Sequence, residues 1–141
     1  MSRVYWDTMV FVYWLENHPH YAPRAEHIFR SMQSRGDRLC ASYLSMGEVL
    51  AGPLKRGQVQ MAATIKQFFD SGLPEILPFD RNSSLEFARL RATANVSPAD
   101  AIHLACAAAS GVDLFLTHDA DLHKLRVPGI QFIAGLNVNV F

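Results

Sequence analysis

Short β-branched and aromatic runs alternate along this chain with longer stretches of helical periodicity, and that alternation restricts the fold more than any other feature. Val4-Tyr5-Trp6 reads as a buried strand stopping at Asp7, and a helix follows at once over residues 8–17, apolar on nearly every side until Pro19. Ala25, Ile28, Phe29 and Met32 recur at helical spacing over residues 21–34, with Gly36 as a C-terminal stop. Residues 39–43 form a second strand candidate, and helices are expected over 45–54, where Gly52-Pro53 weakens the end, and over 58–70. Ile76-Leu77 is a short third strand. Ser83 with Glu86 has the spacing of a capping box for a helix to residue 94, and Ser97-Pro98-Ala99-Asp100 opens the Ala-rich helix that Gly111 ends. Residues 114–117 and 131–133 complete the strands. The chain is therefore expected to be α/β, with a central parallel β-sheet flanked by helices on both faces.

At 141 residues the chain has the length of a single domain, spanning 1–141, and it contains no repeat, low-complexity tract or linker. A chain of this size buries enough surface to need no staple, and Cys40 and Cys106 have neither CxxC nor zinc-finger spacing. Two buried thiols and no signal-peptide pattern fit a cytoplasmic protein. No apolar run reaches the ~18 residues of a membrane span. The 13 basic and 13 acidic residues cancel, so any nucleic-acid binding must be local. Only Lys55, Lys66 and Lys124 among the basic residues are lysine, and the arginines that make up the rest suit phosphate contacts.

The carboxylates carry the chemistry through their placement. Asp7 closes the first strand and Asp119 lies just past the strand ending near Thr117, so both belong at the carboxyl edge of the sheet, where open α/β sheets bind ligands. Asp100, in the first turn of its helix, and Glu48, early in the helix after the second strand, can reach the same rim. Four facing carboxylates call for a cation, and an all-oxygen set suits Mg²⁺ or Mn²⁺. Such an ion lowers the pKa of bound water and polarises a phosphoryl oxygen, which points to phosphodiester hydrolysis. Taken singly, each acid also has a structural explanation: Asp7 and Asp119 as helix or turn caps, Asp100 as a capping acid after Ser97, Glu48 as a solvated helix residue.

Four stretches together resemble the PIN-domain nucleases and, within them, the VapC-type toxins of toxin–antitoxin pairs. They are Tyr5-Trp6-Asp7-Thr8, Ser45-Met46-Gly47-Glu48-Val49-Leu50-Ala51-Gly52, Pro98-Ala99-Asp100-Ala101-Ile102-His103-Leu104-Ala105 and Leu116-Thr117-His118-Asp119-Ala120-Asp121-Leu122. The third is the most specific, and the four run in the family's order over most of the chain. The resemblance implies that Asp7, Glu48, Asp100 and Asp119 form an acidic Mg²⁺ or Mn²⁺ site, with Thr117 orienting it and Asp121 as an accessory acid. It further implies RNA cleavage, a homodimer and inhibition by a cognate antitoxin protein. Met9 stands where many members have Asn or Ser, and Leu122 where Phe is frequent.

Other readings remain beside this one. A housekeeping PIN nuclease in RNA processing would carry the same acids without an antitoxin, and a non-catalytic PIN module would keep the fold without turnover. A haloacid-dehalogenase phosphatase needs a second Asp where Met9 stands, and a receiver domain needs an acidic pair where Asp7 is alone. His103 is either a buried, hydrogen-bonded core residue or a neighbour of the acidic site. The pairs His18/His20 and His118/His123 lack a third zinc ligand at suitable spacing. Lys55, Arg56 and Lys66 are either a solvated face or part of an RNA rim. Phe11, Tyr13, Trp14 and Leu15 are more apolar surface than one short helix hides, and divide between core packing and a partner face.

Overall fold

The computed structural model describes residues 1–141. Its elements are β1 (Arg3–Trp6), α1 (Thr8–Leu15), α2 (Ala22–Arg35), β2 (Arg38–Ala41), α3 (Tyr43–Lys55), α4 (Val59–Asp70), β3 (Glu75–Ile76), α5 (Arg81–Thr93), α6 (Pro98–Ser110), β4 (Leu114–Leu116) and β5 (Phe132–Ala134), with a 3₁₀ turn at Leu122–Lys124. The five strands form one sheet in the order β3-β2-β1-β4-β5, and every pairing is parallel. Helices cover both faces, as the alternation of elements predicts.

Strand alternation sorts the core into two halves. Tyr5 pairs in register with Cys40 and Phe115, and all three point to the side covered by Leu90 of α5 and Leu104 and Ala108 of α6. Val4, Trp6, Leu39, Ala41, Leu114 and Leu116 point the other way, onto Val10 and Phe11 of α1, Ile28 and Met32 of α2, Val49 of α3 and Ile65 of α4. The surplus of aromatic residues in α1 is resolved largely by packing. Phe11 is fully buried, with ring centroids 5.2 Å from Trp6 and 5.3 Å from Phe69. Trp14 lies 4.4 Å from Phe29 and 5.4 Å from Phe68. Both cysteines are buried and free, and burial pushes each thiol up to about 11, so they are inert core residues.

Of the boundaries that differ from expectation, three have a clear local reason. The second strand ends at Ala41 because Ser42 and Ser45 form a reciprocal capping box, which starts α3 at Tyr43. That helix runs through Pro53 to Lys55, since a proline in the last turn removes only one donor. The helix expected from Ser83 begins at Arg81, because the cap is Asp80: its carboxylate accepts from Ser83 N–H, and Ser83 Oγ accepts from Asp80 N–H.

The loop from β4 to β5 is pinned at Gly129, whose φ of +98° favours glycine and whose missing Cβ would sit 2.4 Å from the Ala108 carbonyl at the end of α6. Gly129→Ala is expected to destabilise the protein by more than about 1 kcal/mol, because strain and clash add. Chemical denaturation of the variant against wild type measures this, and an unchanged midpoint would refute the account.

Candidate functional site

The chain travels from β1 outward through β2 to β3, then returns to lay β4 on the other side of β1 and β5 beyond it. Strand order therefore reverses between β1 and β4, and the crevice outside their carboxyl ends is where such sheets bind ligands. The register closes that end tightly: Asp7 N–H donates to the Leu116 carbonyl at 2.9 Å, and Thr117 N–H to the Ala134 carbonyl at 2.9 Å.

Asp7 leaves β1 here and serves as the N-cap of α1. Its Oδ1 accepts from Thr8 N–H at 2.9 Å and its Oδ2 from the Thr117 hydroxyl at 2.7 Å. Thr117 Oγ1 in turn accepts from Asp119 N–H at 3.1 Å, so one buried hydroxyl links the acids at the two strand ends. His123, at the exposed rim, lies with Nε2 2.9 Å from the Thr117 carbonyl and steadies the same residue. Asp119 also holds its own turn, accepting Asp121 N–H at 2.9 Å. The Asp121 side chain is exposed and joins the others only through that backbone bond.

Asp100 enters from α6. Ser97 caps that helix by accepting Asp100 N–H at 3.2 Å, and Pro98 occupies its first position, so the cap fixes where the carboxylate emerges. Burial raises the Asp100 carboxyl above the usual range, and the charges of Asp7 and Asp119 raise it further. Aspartates from the ends of β1 and β4 thus act electrostatically on one that α6 presents. No arginine or lysine forms an ion pair with any of them.

Glu48, on the half-buried side of α3, is turned toward His103. Its Oε1 lies 2.6 Å from His103 Nε2 and accepts the Thr8 hydroxyl at 2.6 Å. The His103 hydrogen bond holds Glu48 below the usual carboxylate range, against an opposing push from burial, and the Thr8 bond adds to the lowering. The four acids of the sequence are thus three aspartates, two of whose charges bear on the third, and a glutamate held by Thr8 and His103. They do not form a closed cage, since no three His, Cys, Asp or Glu side chains are gathered within reach of one ion.

The donor set nevertheless fits a hard divalent cation. It is entirely carboxylate and hydroxyl oxygen, no arginine or lysine pairs with the three aspartates, and Mg²⁺ takes only one or two protein carboxylates while retaining waters. The remaining tempting residues go elsewhere. His18 Nδ1 accepts Tyr21 N–H in the loop before α2, and His118 packs on Tyr21 with centroids 4.6 Å apart. Arg56 pairs with Glu16 and Lys66 with Asp70 on the exposed surface. Thr8 and His103 are the site neighbours that motif reading undervalues. The signal for His103 is its spacing, one helical turn after Asp100 on the same face.

Residues 4–128 match the family model of the PIN domain, and the chain belongs to that family. Solved structures share the fold. A chain of VapBC2 from Rickettsia felis, bound to a DNA fragment from its promoter, aligns with a TM-score of 0.76 at 16% identity, covering 94% of this chain and 98% of that one. DNA-bound VapBC from Salmonella typhimurium aligns with a TM-score of 0.74 at 22% identity, covering 96% and 99%. VapC20 of Mycobacterium tuberculosis, a Sarcin-Ricin loop cleaving toxin, aligns with a TM-score of 0.70 at 14% identity, covering 84% and 91%. No curated protein matches at a significant level.

The repulsion at Asp100 has a measurable sign. Its folded-state pKa is raised, so ionisation costs stability once the pH climbs past the ordinary carboxylate value, and that cost persists at pH 7. In EDTA at pH 7, Asp100→Asn is expected to raise the melting temperature, by about 2–4 °C for each kcal/mol of repulsion relieved. Saturating Mn²⁺ should then stabilise wild type more than the variant. A lower melting temperature for a natively folded Asp100→Asn would show that the carboxylates do not repel one another.

Proposed function

We propose that this protein is a divalent-metal-dependent endoribonuclease, the toxin of a VapC-type toxin–antitoxin pair, which hydrolyses RNA phosphodiester bonds at Asp7, Glu48, Asp100 and Asp119. The observation that carries the proposal is that the charges of Asp7 and Asp119, beyond the carboxyl ends of the strands at the strand-order reversal, raise the carboxyl of Asp100. Membership of the PIN family and the likeness to VapBC chains, one of them an RNA-cleaving toxin, support it.

In this reading Asp7, Asp100 and Asp119 hold Mg²⁺ or Mn²⁺, directly or through water, and Glu48 completes the site or holds a water. The bound cation supplies polarisation of the phosphoryl oxygen and a water of lowered pKa. The chain's own contribution is placement. Thr117 keeps one Asp7 oxygen in a fixed direction and restrains the backbone of Asp119. The N-cap at Ser97 presents Asp100 at a helix N-terminus, where the dipole favours an anion and offsets part of the repulsion. Thr8 and His103 restrict Glu48 to one orientation. Water attack with loss of the 3′-oxygen leaves a 5′-phosphate product. Asp121, exposed at the rim, is an accessory acid.

The proposed partners are an RNA substrate, a cognate antitoxin and a second copy of the chain. Exposed Leu54 and Val59, near the junction of α3 and α4, supply apolar surface for a protein partner. No helix is long and apolar enough to cross a membrane, and a cytoplasmic location is proposed.

Labelled structured RNA incubated with purified protein and Mg²⁺, Mn²⁺ or EDTA tests the activity. Cleavage is expected only with metal, leaving 5′-phosphate ends. Asp7→Asn should fold normally and lose roughly 10²–10³-fold in rate, the scale of removing one transition-state charge contact. A folded Asp7→Asn that cleaves like wild type refutes the site. Neither cleavage nor metal binding by wild type would indicate a non-catalytic module. Cleavage without a small antitoxin-like reading frame beside the gene would favour a housekeeping nuclease.

A further inference from the structure

Behind the acids lies a column of polar side chains that core packing does not require. Tyr5, Ser45, Ser42 and His103 are all buried, at 0%, 0%, 2% and 2% exposure, in a region otherwise lined by alanine, leucine and phenylalanine. Uncompensated, such groups would cost stability. Here they satisfy one another: the Tyr5 hydroxyl lies 2.7 Å from His103 Nδ1, donates to Ser42 Oγ at 2.9 Å and is 3.3 Å from Ser45 Oγ. His103 Nε2 then reaches Glu48 Oε1 at 2.6 Å.

The column closes on itself. Ser42 and Ser45 are the capping box that starts α3, and Glu48 is the residue one turn further along that helix. The path from Glu48 through His103 and Tyr5 to the two serines therefore returns to the helix that carries Glu48. It also ties together the elements that carry the other acids. Tyr5, on β1, is two residues before Asp7, and His103 is three residues after Asp100 on α6. The Tyr5 ring is held independently by stacking on Phe115, with centroids 5.1 Å apart and planes 7° from parallel.

We propose that the ring of Tyr5, His103, Ser42 and Ser45 is a positioning device for the nuclease site: it fixes the orientation of Glu48 and its spacing from Asp7 and Asp100. This rests on the nuclease reading of the acids. Thr8 Oγ1 donates to Glu48 Oε1 and His103 Nε2 contacts the same oxygen, which leaves Oε2 as the oxygen available to a cation or its water. His103 and Tyr5 act through Glu48 and have no role of their own at the phosphate.

Three variants separate this from plain core stability. His103→Leu removes the bond to Glu48, His103→Gln returns a donor near the Nε2 position, and Tyr5→Phe keeps the stacking but cuts the column. Cys106→Ala, one turn further along α6 and equally buried, controls for loss of packing. Two quantities are measured on proteins that melt cooperatively: Mn²⁺ affinity by calorimetry, and kcat and KM for RNA cleavage. Losing a residue that orients a metal-site carboxylate costs about 10–100-fold in affinity or activity. His103→Leu is thus expected to lose about that much in kcat and to bind Mn²⁺ more weakly, with KM nearly unchanged. Tyr5→Phe should lose less, His103→Gln should recover most of the loss, and Cys106→Ala should match wild type.

Wild-type kcat and Mn²⁺ affinity in His103→Leu and Tyr5→Phe would overturn the proposal and leave the nuclease reading standing. So would an equal loss in Cys106→Ala. A wild type that binds Mn²⁺ but leaves the offered RNA intact sets the nuclease reading back, and the Mn²⁺ series still decides the positioning role. A wild type that neither cleaves nor binds Mn²⁺ ends both.

Discussion

The parallel pairing of β1 with β4 is the contact on which the rest of the molecule depends. Three residue pairs, Val4 with Leu114, Tyr5 with Phe115 and Trp6 with Leu116, set the two strands so that both end at the same level. Asp7 then emerges beside Thr117, and a single hydroxyl bridges the two exits. Because strands point their side chains alternately to the two faces, the same register sends Trp6 into one half of the core and Tyr5 into the other. Slipping it by one residue would send Trp6 into the half of the core built around Tyr5 and misplace Asp7 together.

That geometry explains a tension between stability and function. Burial and two like charges raise the carboxyl of Asp100, while Glu48 is held low by the His103 hydrogen bond. Environments that push neighbouring carboxylates in opposite directions are typical of reaction sites, since a purely structural surface would leave such acids solvated and apart. The exposed pairs Arg56 with Glu16 and Lys66 with Asp70 show the alternative, and contribute little to stability. The core beneath the site includes the aromatic packing of Trp6, Phe11, Trp14, Phe29 and Phe68.

Much of the architecture was legible in advance because it rests on local signals. Ser97-Pro98 marks the start of α6 without reference to any other part of the chain, and Gly36 and Gly111, at φ of 73° and 70°, mark helix ends for the same reason. The start of α5 was less legible, since Asp80 and Ser83 are both good caps and the choice between them depends on Ser83 Oγ folding back to the Asp80 N–H. Of the candidate site, the placement of Asp7 and Asp119 follows from strand ends, and that of Asp100 from its cap. The partnership of Glu48 with His103 does not, because the two residues are 55 positions apart and meet only when α3 and α6 pack together.

The sequence by itself determined the periodicity of each element, the helix caps and the order of strands and helices, and therefore a parallel α/β sheet with acids at strand ends. Those properties depend on neighbours within a turn or two, where backbone geometry leaves few alternatives. Strand order, the inward turn of Tyr5, the closing of its hydroxyl on His103 and the choice of Glu48 Oε1 over Oε2 were decided only by tertiary structure. Each is a contact between segments far apart in the chain, and local preference has no hold on which distant groups will meet once the core has packed.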